Sequence, residues 1–278
     1  MRWGAGRLLD FSQAPIIMGI INATPDSFFP ASRALAVAEG LAAARRMIEE
    51  GAEILDIGGE STQPGSEGVG ADEELERVVP LIEAVRRESN LLISVDTRKA
   101  VVAAAALDAG ADLINDISAL ADDPAMGALV AERGVPVVLM HKRGEPATMQ
   151  KDPFYVDAVG EITSELLASV ERAAACGVHR DRIIIDPGIG FGKRLCDNLD
   201  ILRAIPQLAA HGFPLLIGLS RKSFIGAILG GKPVEERLTG TLVANTYAAI
   251  AGADILRVHD VAESVQLKRV LAALRGQG

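Results

Sequence analysis

Three short segments of this chain repeat one another, and each joins an alanine-rich stretch to an apolar run. They are Gly51-Ala52-Glu53-Ile54-Leu55-Asp56, Gly110-Ala111-Asp112-Leu113-Ile114-Asn115 and Gly252-Ala253-Asp254-Ile255-Leu256-Arg257. Glycine suits the left-handed cap that ends a helix, and the apolar pair suits entry into a buried strand. Repetition of this helix-to-strand junction predicts helices alternating with parallel strands.

Five further apolar runs fit between and around these junctions as strands: Ile16 to Asn22, Leu91 to Asp96, Pro136 to His141, Arg182 to Asp186 and Pro214 to Ser220. Helical stripes cover Val37 to Glu50 and Leu75 to Val85, and Pro80 is expected to kink the second. Eight strands covered on both faces predict an α/β fold, a (β/α)8 TIM barrel. A doubly wound open sheet is the alternative.

We expect one domain over residues 1–278, in which residues 1–15 form a hairpin over the barrel floor and the barrel spans about 16–275. The net charge of -9 argues against a nucleic-acid surface, which needs clustered cations. No run of about 18 uncharged apolar residues occurs, so we expect no membrane span. Cys176 and Cys196 lack metal or redox spacing, which favours a cytoplasmic location.

The stretch Asp186-Pro187-Gly188-Ile189-Gly190-Phe191-Gly192-Lys193 follows the apolar run Ile183-Ile184-Ile185. An acid that closes a buried strand and opens a glycine-rich loop is well placed to accept hydrogen bonds from a ligand. Phosphate-binding patterns fail here, because Pro187, Lys193 and Arg194 stand where those loops need glycine, glycine and a hydroxyl residue. A plain tight turn is the alternative interpretation; as a ligand site, the glycines would leave room for a flat ring.

Polar residues close most of the predicted strands: Asn22, Asp56, Asp96, Asn115, His141, Asp186, Lys222, and Arg257 with His259. Barrel enzymes carry their chemistry at the carboxyl ends of the strands. Taken singly, Asn115 could cap a turn, His141 could be a satisfied core histidine, and Arg257 could pair with a neighbouring acid. Together they predict a binding site in one mouth.

Two chemistries can be separated within this set. Asp96, Asn115 and Asp186 suit a flat, nitrogen-rich heterocycle, whereas Asn22, Arg257 and His259 suit an anion such as a phosphate; Lys222 is predicted to begin a helix. No closely spaced cluster of metal ligands occurs in the sequence. The loops 23–29 and 58–65 combine small, hydroxyl and proline residues, which is typical of lids and also of ordinary turns.

Seven ordered motifs resemble the dihydropteroate synthase family of pterin-binding enzymes over nearly the whole chain. They are Met18 to Phe28, Asp56 to Thr62, Ser94 to Thr97, Ile114 to Ile117, the run that opens at Asp186, Ser220 to Phe224, and Arg257 to Val261. The resemblance implies a transferase of folate biosynthesis. In that reaction the amine of p-aminobenzoate displaces pyrophosphate from 6-hydroxymethyl-7,8-dihydropterin diphosphate with the assistance of Mg2+. It also implies a homodimer.

The resemblance implies a role for each matching residue. The pterin would be held by Asp96, Asn115, Met140, Asp186 and Lys222, and the diphosphate by Asn22, Arg257 and His259. Asn22 would also lie near Mg2+, and Asp26 would stabilise positive charge on the pterin methylene. The p-aminobenzoate pocket would be lined by Phe28, Thr62, Gln63, Phe191 and Ser223. Asp26, Lys222, Arg257 and His259 are thus the expected catalytic residues.

Both lid loops depart from the family pattern. Gln63 stands where the family usually has Arg, and Phe29-Pro30-Ala31 replaces a small, acidic and glycine-rich continuation, which is expected to stiffen the first loop. The altered loops beside an intact pterin set make a pterin-binding protein without synthase activity one alternative. A methyl-transferring relative that passes a methyl group to a corrinoid protein is another, although Ser220-Arg221-Lys222 and the complete anion set favour a diphosphate substrate. A Schiff-base aldolase that uses Lys222 is a weaker one, because Arg221 is an adjacent cation but a desolvated position is also needed.

Overall fold

The computed structural model describes residues 2–3, 7–8, 11, 15–23, 30–61, 68–145 and 148–276. The strands are β1 (Arg2–Trp3), β2 (Arg7–Leu8), β3 (Ile16–Asn22), β4 (Ile54–Gly58), β5 (Leu92–Asp96), β6 (Leu113–Asp116), β7 (Val137–Met140), β8 (Ile183–Asp186), β9 (Leu216–Ile217) and β10 (Ile255–Val258). The helices are α1 (Pro30–Glu50), α2 (Ala71–Glu88), α3 (Ala100–Ala109), α4 (Met126–Arg133), α5 (Ala158–Ala175), α6 (Leu195–Arg203), α7 (Ile205–Ala209), α8 (Ser223–Ile228), α9 (Leu238–Ala251) and α10 (Val261–Leu274).

The eight strands β3 to β10 form one sheet in the order β8, β7, β6, β5, β4, β3, β10, β9, and every pair in it is parallel. The remaining seam lies between β8 and β9, where a single parallel bridge joins Ile185 to Leu215. The predicted (β/α)8 barrel is therefore confirmed, and the doubly wound alternative is wrong. The short strands β1 and β2 pair as an antiparallel hairpin.

The inside of the barrel changes from apolar to polar along the strand direction. Its lower layer is an apolar cluster of Ile16, Met18, Ile54, Leu92, Leu113, Val138, Ile184, Leu216 and Ile255, against which Phe11 packs from below. Side chains two residues apart share a face of a strand. The next inward positions after Ile54, Leu113 and Ile255 are therefore Asp56, Asn115 and Arg257, so the polar layer lies directly above the apolar one.

The repeated glycines end helices as the sequence predicts. Gly51, Gly110 and Gly252 have φ values of 100°, 115° and 117°, in the left-handed region that favours glycine. Each lies at the turn that feeds β4, β6 or β10. Glycine at these three turns therefore marks where β4, β6 and β10 begin.

Helix α1 is longer than predicted, and α2 contains Pro80 as predicted, while the kink at Pro80 stays a prediction. Helix α1 begins at Pro30, seven residues before Val37, because proline is favourable in the first turn of a helix. Helix α2 continues unbroken through Pro80. Pro80 lies on the exposed face of α2, where a residue without a backbone N–H is better tolerated than inside the core. Pro30 and Ala31, two residues of that departure from the family pattern, are therefore the first residues of a helix.

We predict that Gly51→Ala lowers the free energy of unfolding by about 1 to 2 kcal/mol, the cost of left-handed backbone for an L-residue. Gly110→Ala should cost at least about 1 kcal/mol more. A Cβ at Gly110 would lie 2.8 Å from Cγ of Arg86, whereas the nearest atom at Gly51 is 3.5 Å away. Urea unfolding of both variants measures the difference; equal losses would contradict the steric part of the prediction.

Candidate active site

Asp56 is the centre of the polar layer. It is fully buried on β4, and its Oδ2 accepts a hydrogen bond from Asn115 Nδ2 at 3.1 Å and another from Arg257 Nε at 2.6 Å. These three residues occupy the same position in the three repeated segments. The repeats thus place an acid, an amide and a cation in mutual contact inside the barrel.

Arg257 also contacts a second carboxylate. Its Nη2 donates to Asp96 Oδ2 at 2.6 Å, so Asp56 and Asp96 both pair with one guanidinium. Burial raises the pKa of Asp96, and Arg257 opposes that rise. Burial alone would lower the pKa of Arg257, but the two carboxylates outweigh it and raise that pKa. Arg257 therefore keeps its charge, and the mouth holds a fixed cation between two acids.

Asp186 and Lys222 form the opposite wall, beside the seam. Burial raises the pKa of the Asp186 carboxyl, against the influence of Lys222. For Lys222, a cation, burial acts in the opposite direction: it lowers the pKa to about 8, although the nearby Asp186 carboxylate opposes that fall. Lys222 Nζ donates to the carbonyl of Ile189 and lies 4.9 Å from the centre of the Phe191 ring. Met140 pairs with Asp186 across β7 and β8.

The glycines after Asp186 are needed for a close backbone approach. Gly188 and Gly192 have φ values of 64° and 63°. A Cβ at Gly188 would lie 1.9 Å from the carbonyl oxygen of His141, and one at Gly192 would lie 2.1 Å from that of Arg143. The loop 187–192, which we call the wall loop, therefore packs directly on the chain that follows β7. Close packing on the chain after β7, and not room for a flat ring, is therefore the reason for Gly188 and Gly192.

Residues after β9 and β10 are tied to one another. Ser220 Oγ accepts from the backbone N–H of His259 at 3.1 Å and contacts His259 Nδ1 at 2.9 Å. Arg221 donates through Nε and Nη2 to Asp260 at 2.9 and 2.7 Å. Lys222 caps α8, as predicted. The pairs Ser220–His259 and Arg221–Asp260 thus hold Lys222 and His259 on adjacent loops.

His141 does not face the mouth, contrary to the strand-end pattern. Its Nε2 lies 2.9 Å from Glu165 Oε2 on α5, and its Nδ1 lies 2.9 Å from Lys193 Nζ. Burial, with Lys193 and Arg143 nearby, lowers the pKa of His141 to about 2, so the ring is neutral. Because Met140 points inward, its neighbour His141 must point outward toward the helices.

The remaining predicted site residues divide into two groups. Asn22 ends β3 and is exposed, and Ser223 begins α8 and is exposed. Asp26, Phe28, Thr62 and Gln63 lie outside the described residues.

The start of the loop 58–65 is described: Glu60 accepts from Arg98 Nη2 at 3.0 Å and from Lys99 Nζ. Lys99 also donates to the buried Glu74. Two cations thus anchor the chain just before residue 62.

Three features of the site have no role assigned from the sequence: the central position of Asp56, the contacts of Lys193 and the Arg221–Asp260 pair. Asp56 was visible as a strand-end acid, and the count of five from Gly51 is the signal that could have given it the central position. Lys193 is visible in the sequence only as a mismatch to a dinucleotide loop. The Arg221–Asp260 pair has no local signal, since the two residues lie on different loops.

Comparison with known proteins gives a consistent result. The pterin binding enzyme family model matches residues 18–259. The dihydropteroate synthase of Synechocystis sp. is 46% identical over 267 residues, which cover 96% of this chain and 92% of that protein.

Solved structures agree. Dihydropteroate synthase of Xanthomonas albilineans with 4-aminobenzoic acid superposes with a TM-score of 0.90 at 44% identity, covering 98% of this chain and 96% of that one. The same enzyme in complex with 7,8-dihydropteroate gives a TM-score of 0.87 at 42% identity, covering 98% and 97%.

An eight-stranded parallel barrel with buried acids, an amide and two cations at its strand ends defines a barrel enzyme whose site lies in that mouth. The close full-length likeness then makes the assignment specific. The chain belongs to the pterin-binding enzymes and, within them, to the dihydropteroate synthases. The resemblance stated from the seven motifs is confirmed, and so is the transferase class.

We predict that Asp56→Ala destabilises the protein by about 3 kcal/mol, because it removes the acceptor of Asn115 Nδ2 and of Arg257 Nε and leaves Asp96 as the one carboxylate described against Arg257. Glu88→Ala is the matched control, since Glu88 accepts from Arg45 with comparable geometry at the exposed surface. The free energy of unfolding should fall much less in Glu88→Ala, because water screens an exposed pair. Chemical unfolding compares the two. Equal losses of unfolding free energy in the two variants would contradict the central role assigned to Asp56.

Proposed function

We propose that the polar layer and the wall loop of this chain hold the pterin ring of 6-hydroxymethyl-7,8-dihydropterin diphosphate. Asp96, Asn115 and Asp186 would bond its N–H edge and ring atoms, Lys222 would donate to a ring oxygen or nitrogen, and Met140 would pack on the ring. The observation that carries this proposal is the burial of Asp96, Asn115 and Asp186 at the ends of β5, β6 and β8. Burial makes each hydrogen bond to such groups worth about 1 to 3 kcal/mol, so a flat ligand rich in N–H groups suits them.

The diphosphate is assigned to Asn22, Arg257 and His259. Two of the N–H groups of Arg257 are already directed at Asp56 and Asp96, and a guanidinium has five. The amine of p-aminobenzoate would attack the pterin methylene carbon, the C–O bond to the diphosphate would break, and the new ammonium would lose a proton. Pyrophosphate would leave with the bonding electrons, so fixed cations beside it lower the barrier. Asp26 would stabilise the methylene if it becomes cationic before attack.

The p-aminobenzoate pocket is assigned to Phe28, Thr62, Gln63, Phe191 and Ser223. Support comes from Phe191 and Ser223, because the ring of Phe191 lies beside Lys222 and Ser223 follows Lys222 directly. Stacking on an aromatic ring suits a benzoate. A relative of this chain has been crystallised with 4-aminobenzoic acid and with 7,8-dihydropteroate, and we propose that this chain binds the same two molecules.

Mg2+ is proposed to enter with the diphosphate and to lie near Asn22. Among the described residues there is no group of three or more His, Cys, Asp or Glu side chains placed to hold a metal. The exposed amide of Asn22 is an oxygen donor of the kind that Mg2+ uses together with waters and substrate phosphates, so the residues fit such an ion. When bound, Mg2+ neutralises charge on the departing pyrophosphate.

A homodimer through α9 and α10 is proposed as well. Val243, Tyr247 and Ile250 are exposed at the i, i+4 and i+7 positions of α9, and Val270 and Leu274 are exposed on α10. On each helix these side chains share one face, and exposed apolar faces of this kind favour a protein contact. Within the described part of the chain, no helix is both long enough and apolar enough to span a bilayer. A cytoplasmic location and a single domain over residues 1–278 stay proposals.

The decisive experiment is pyrophosphate release by the purified protein with pterin diphosphate, p-aminobenzoate and Mg2+. We predict release that depends on p-aminobenzoate and falls at least about a hundredfold in Lys222→Ala, since that variant loses a charged donor at the ring. Arg87→Ala, at the exposed end of α2, is the control that should retain activity. Release no greater than that of Lys222→Ala would leave only a pterin-binding protein.

Gln63 should weaken the binding of p-aminobenzoate without abolishing activity, because it lacks the cation that the family usually has there. We predict that Gln63→Arg lowers the KM for p-aminobenzoate several-fold, since a charge-assisted hydrogen bond to a carboxylate is stronger than a neutral one. Gln63→Met, which is similar in length and uncharged, is the matched control. An unchanged KM in Gln63→Arg would contradict the assignment of position 63 to this pocket.

A further inference from the structure

Lys193 ends the glycine-rich run, yet none of the proposed substrate contacts uses it. Its side chain is buried, with only 3% of the residue exposed. Its Nζ lies 2.9 Å from His141 Nδ1, 3.0 Å from the carbonyl oxygen of Phe191 and 3.3 Å from that of His141. A buried lysine is costly unless its N–H groups are satisfied, and this one faces three acceptors.

The hydrogen atoms of this cluster can be assigned. Burial lowers the pKa of Lys193 to about 7, against the influence of Asp186. In its ammonium form Lys193 has one N–H for each of the three contacts; His141 Nδ1 then accepts, and the ring proton is on Nε2. Nε2 then donates to Glu165, 2.9 Å away on α5. Arg143 holds Glu165 in turn and stacks at 4.0 Å on the ring of Tyr155. Lys193 thus connects the wall loop to the end of β7 and, through His141, to α5.

The wall loop is also held at Gly190 and Ile189. Asn198 Oδ1 accepts from the Gly190 N–H at 2.7 Å, and Gln150 donates to the Gly190 carbonyl. Lys222 donates to the Ile189 carbonyl, but Lys222 is assigned to the ligand. The backbone of Phe191 is held at two points: its N–H donates to the Gly188 carbonyl at 3.1 Å within the loop, and its carbonyl accepts from Lys193 at 3.0 Å. Lys193 therefore supplies one of the two bonds that hold the backbone carrying the Phe191 ring.

We propose that Lys193 is a positioning residue for p-aminobenzoate: by bonding the Phe191 carbonyl and His141 together, it fixes the aromatic wall on which the benzoate stacks. This inference rests on the proposed role of Phe191. Asp96, Asn115 and Asp186 are carried by strands, which set their positions without Lys193; the charge of Lys193 lowers the pKa of Asp186, but less than Lys222 and the Gly188 N–H do. Loss of Lys193 should consequently weaken the binding of p-aminobenzoate and leave the binding of pterin diphosphate nearly unchanged.

The test is Lys193→Met, which keeps the length of the side chain and removes all three N–H donors. We expect the KM for p-aminobenzoate to rise about tenfold, as the loss of hydrogen bonds from a charged group implies. The Kd for pterin diphosphate with Mg2+, measured by calorimetry without p-aminobenzoate, should change less than about twofold. A role confined to stability would lower the active fraction, and hence the apparent kcat, and leave the KM unchanged; that result would overturn the proposal.

Lys142→Met is the matched control. Lys142 is also a mostly buried lysine just beyond β7, but it pairs with Asp122 and Glu145 away from the wall loop. Its KM for p-aminobenzoate should stay at the wild-type value. An equal rise in both variants would overturn the proposal, because the effect would then follow from any lysine lost at this end of β7.

Phe191→Leu separates the two levels of inference. A raised KM for p-aminobenzoate in Phe191→Leu with an unchanged one in Lys193→Met would refute the positioning role alone. No change in Phe191→Leu would instead refute the proposed pocket, and with it the basis for Lys193. If Lys193→Met folds poorly, Lys193→Gln keeps two donors and should restore part of the affinity. Hydrogen exchange in residues 187–193 should rise in both Lys193 variants; unchanged exchange would contradict the proposal.

Discussion

The carboxylate of Asp56 determines how the interior of this barrel is organised. It lies fully buried above an apolar layer, and it accepts hydrogen bonds from Asn115 and Arg257 on two other strands. A charge in such a place is tolerated only with a well-matched partner. Arg257 supplies that partner and, through Asp96, joins a third strand to the same network. The mouth is consequently preorganised before any ligand arrives, and ligand binding need not meet the cost of gathering these charges.

Much of this arrangement could be predicted from the sequence because strands alternate with a period of two. The glycine caps define where β4, β6 and β10 begin, and counting from each glycine gives the inward positions Asp56, Asn115 and Arg257. The same rule warns against His141, since Met140 and His141 are adjacent and cannot both face inward. Periodicity identifies strand faces well wherever the strand start is marked.

Other contacts could not be predicted, because they depend on how loops pack. Lys193 reaches His141 only because the wall loop lies against the chain after β7, and Arg221 reaches Asp260 only because the loops after β9 and β10 are neighbours. Neither approach leaves a local pattern in the sequence. The start of α1 at Pro30 is a milder case: proline fits a first helical turn as well as a loop, and only the structure distinguishes the two.

The seam between β8 and β9 has a consequence for how the barrel responds to substrate. A single parallel bridge closes it, between Ile185 and Leu215, whereas the other neighbouring strands are joined by longer ladders. Asp186 ends one side of that seam, and Lys222 follows the other. A ring that bonds both residues would join the two strands that have the fewest bridges between them. Substrate binding would then stabilise closure of the barrel at this seam, and closure of the seam would in turn raise the affinity for substrate.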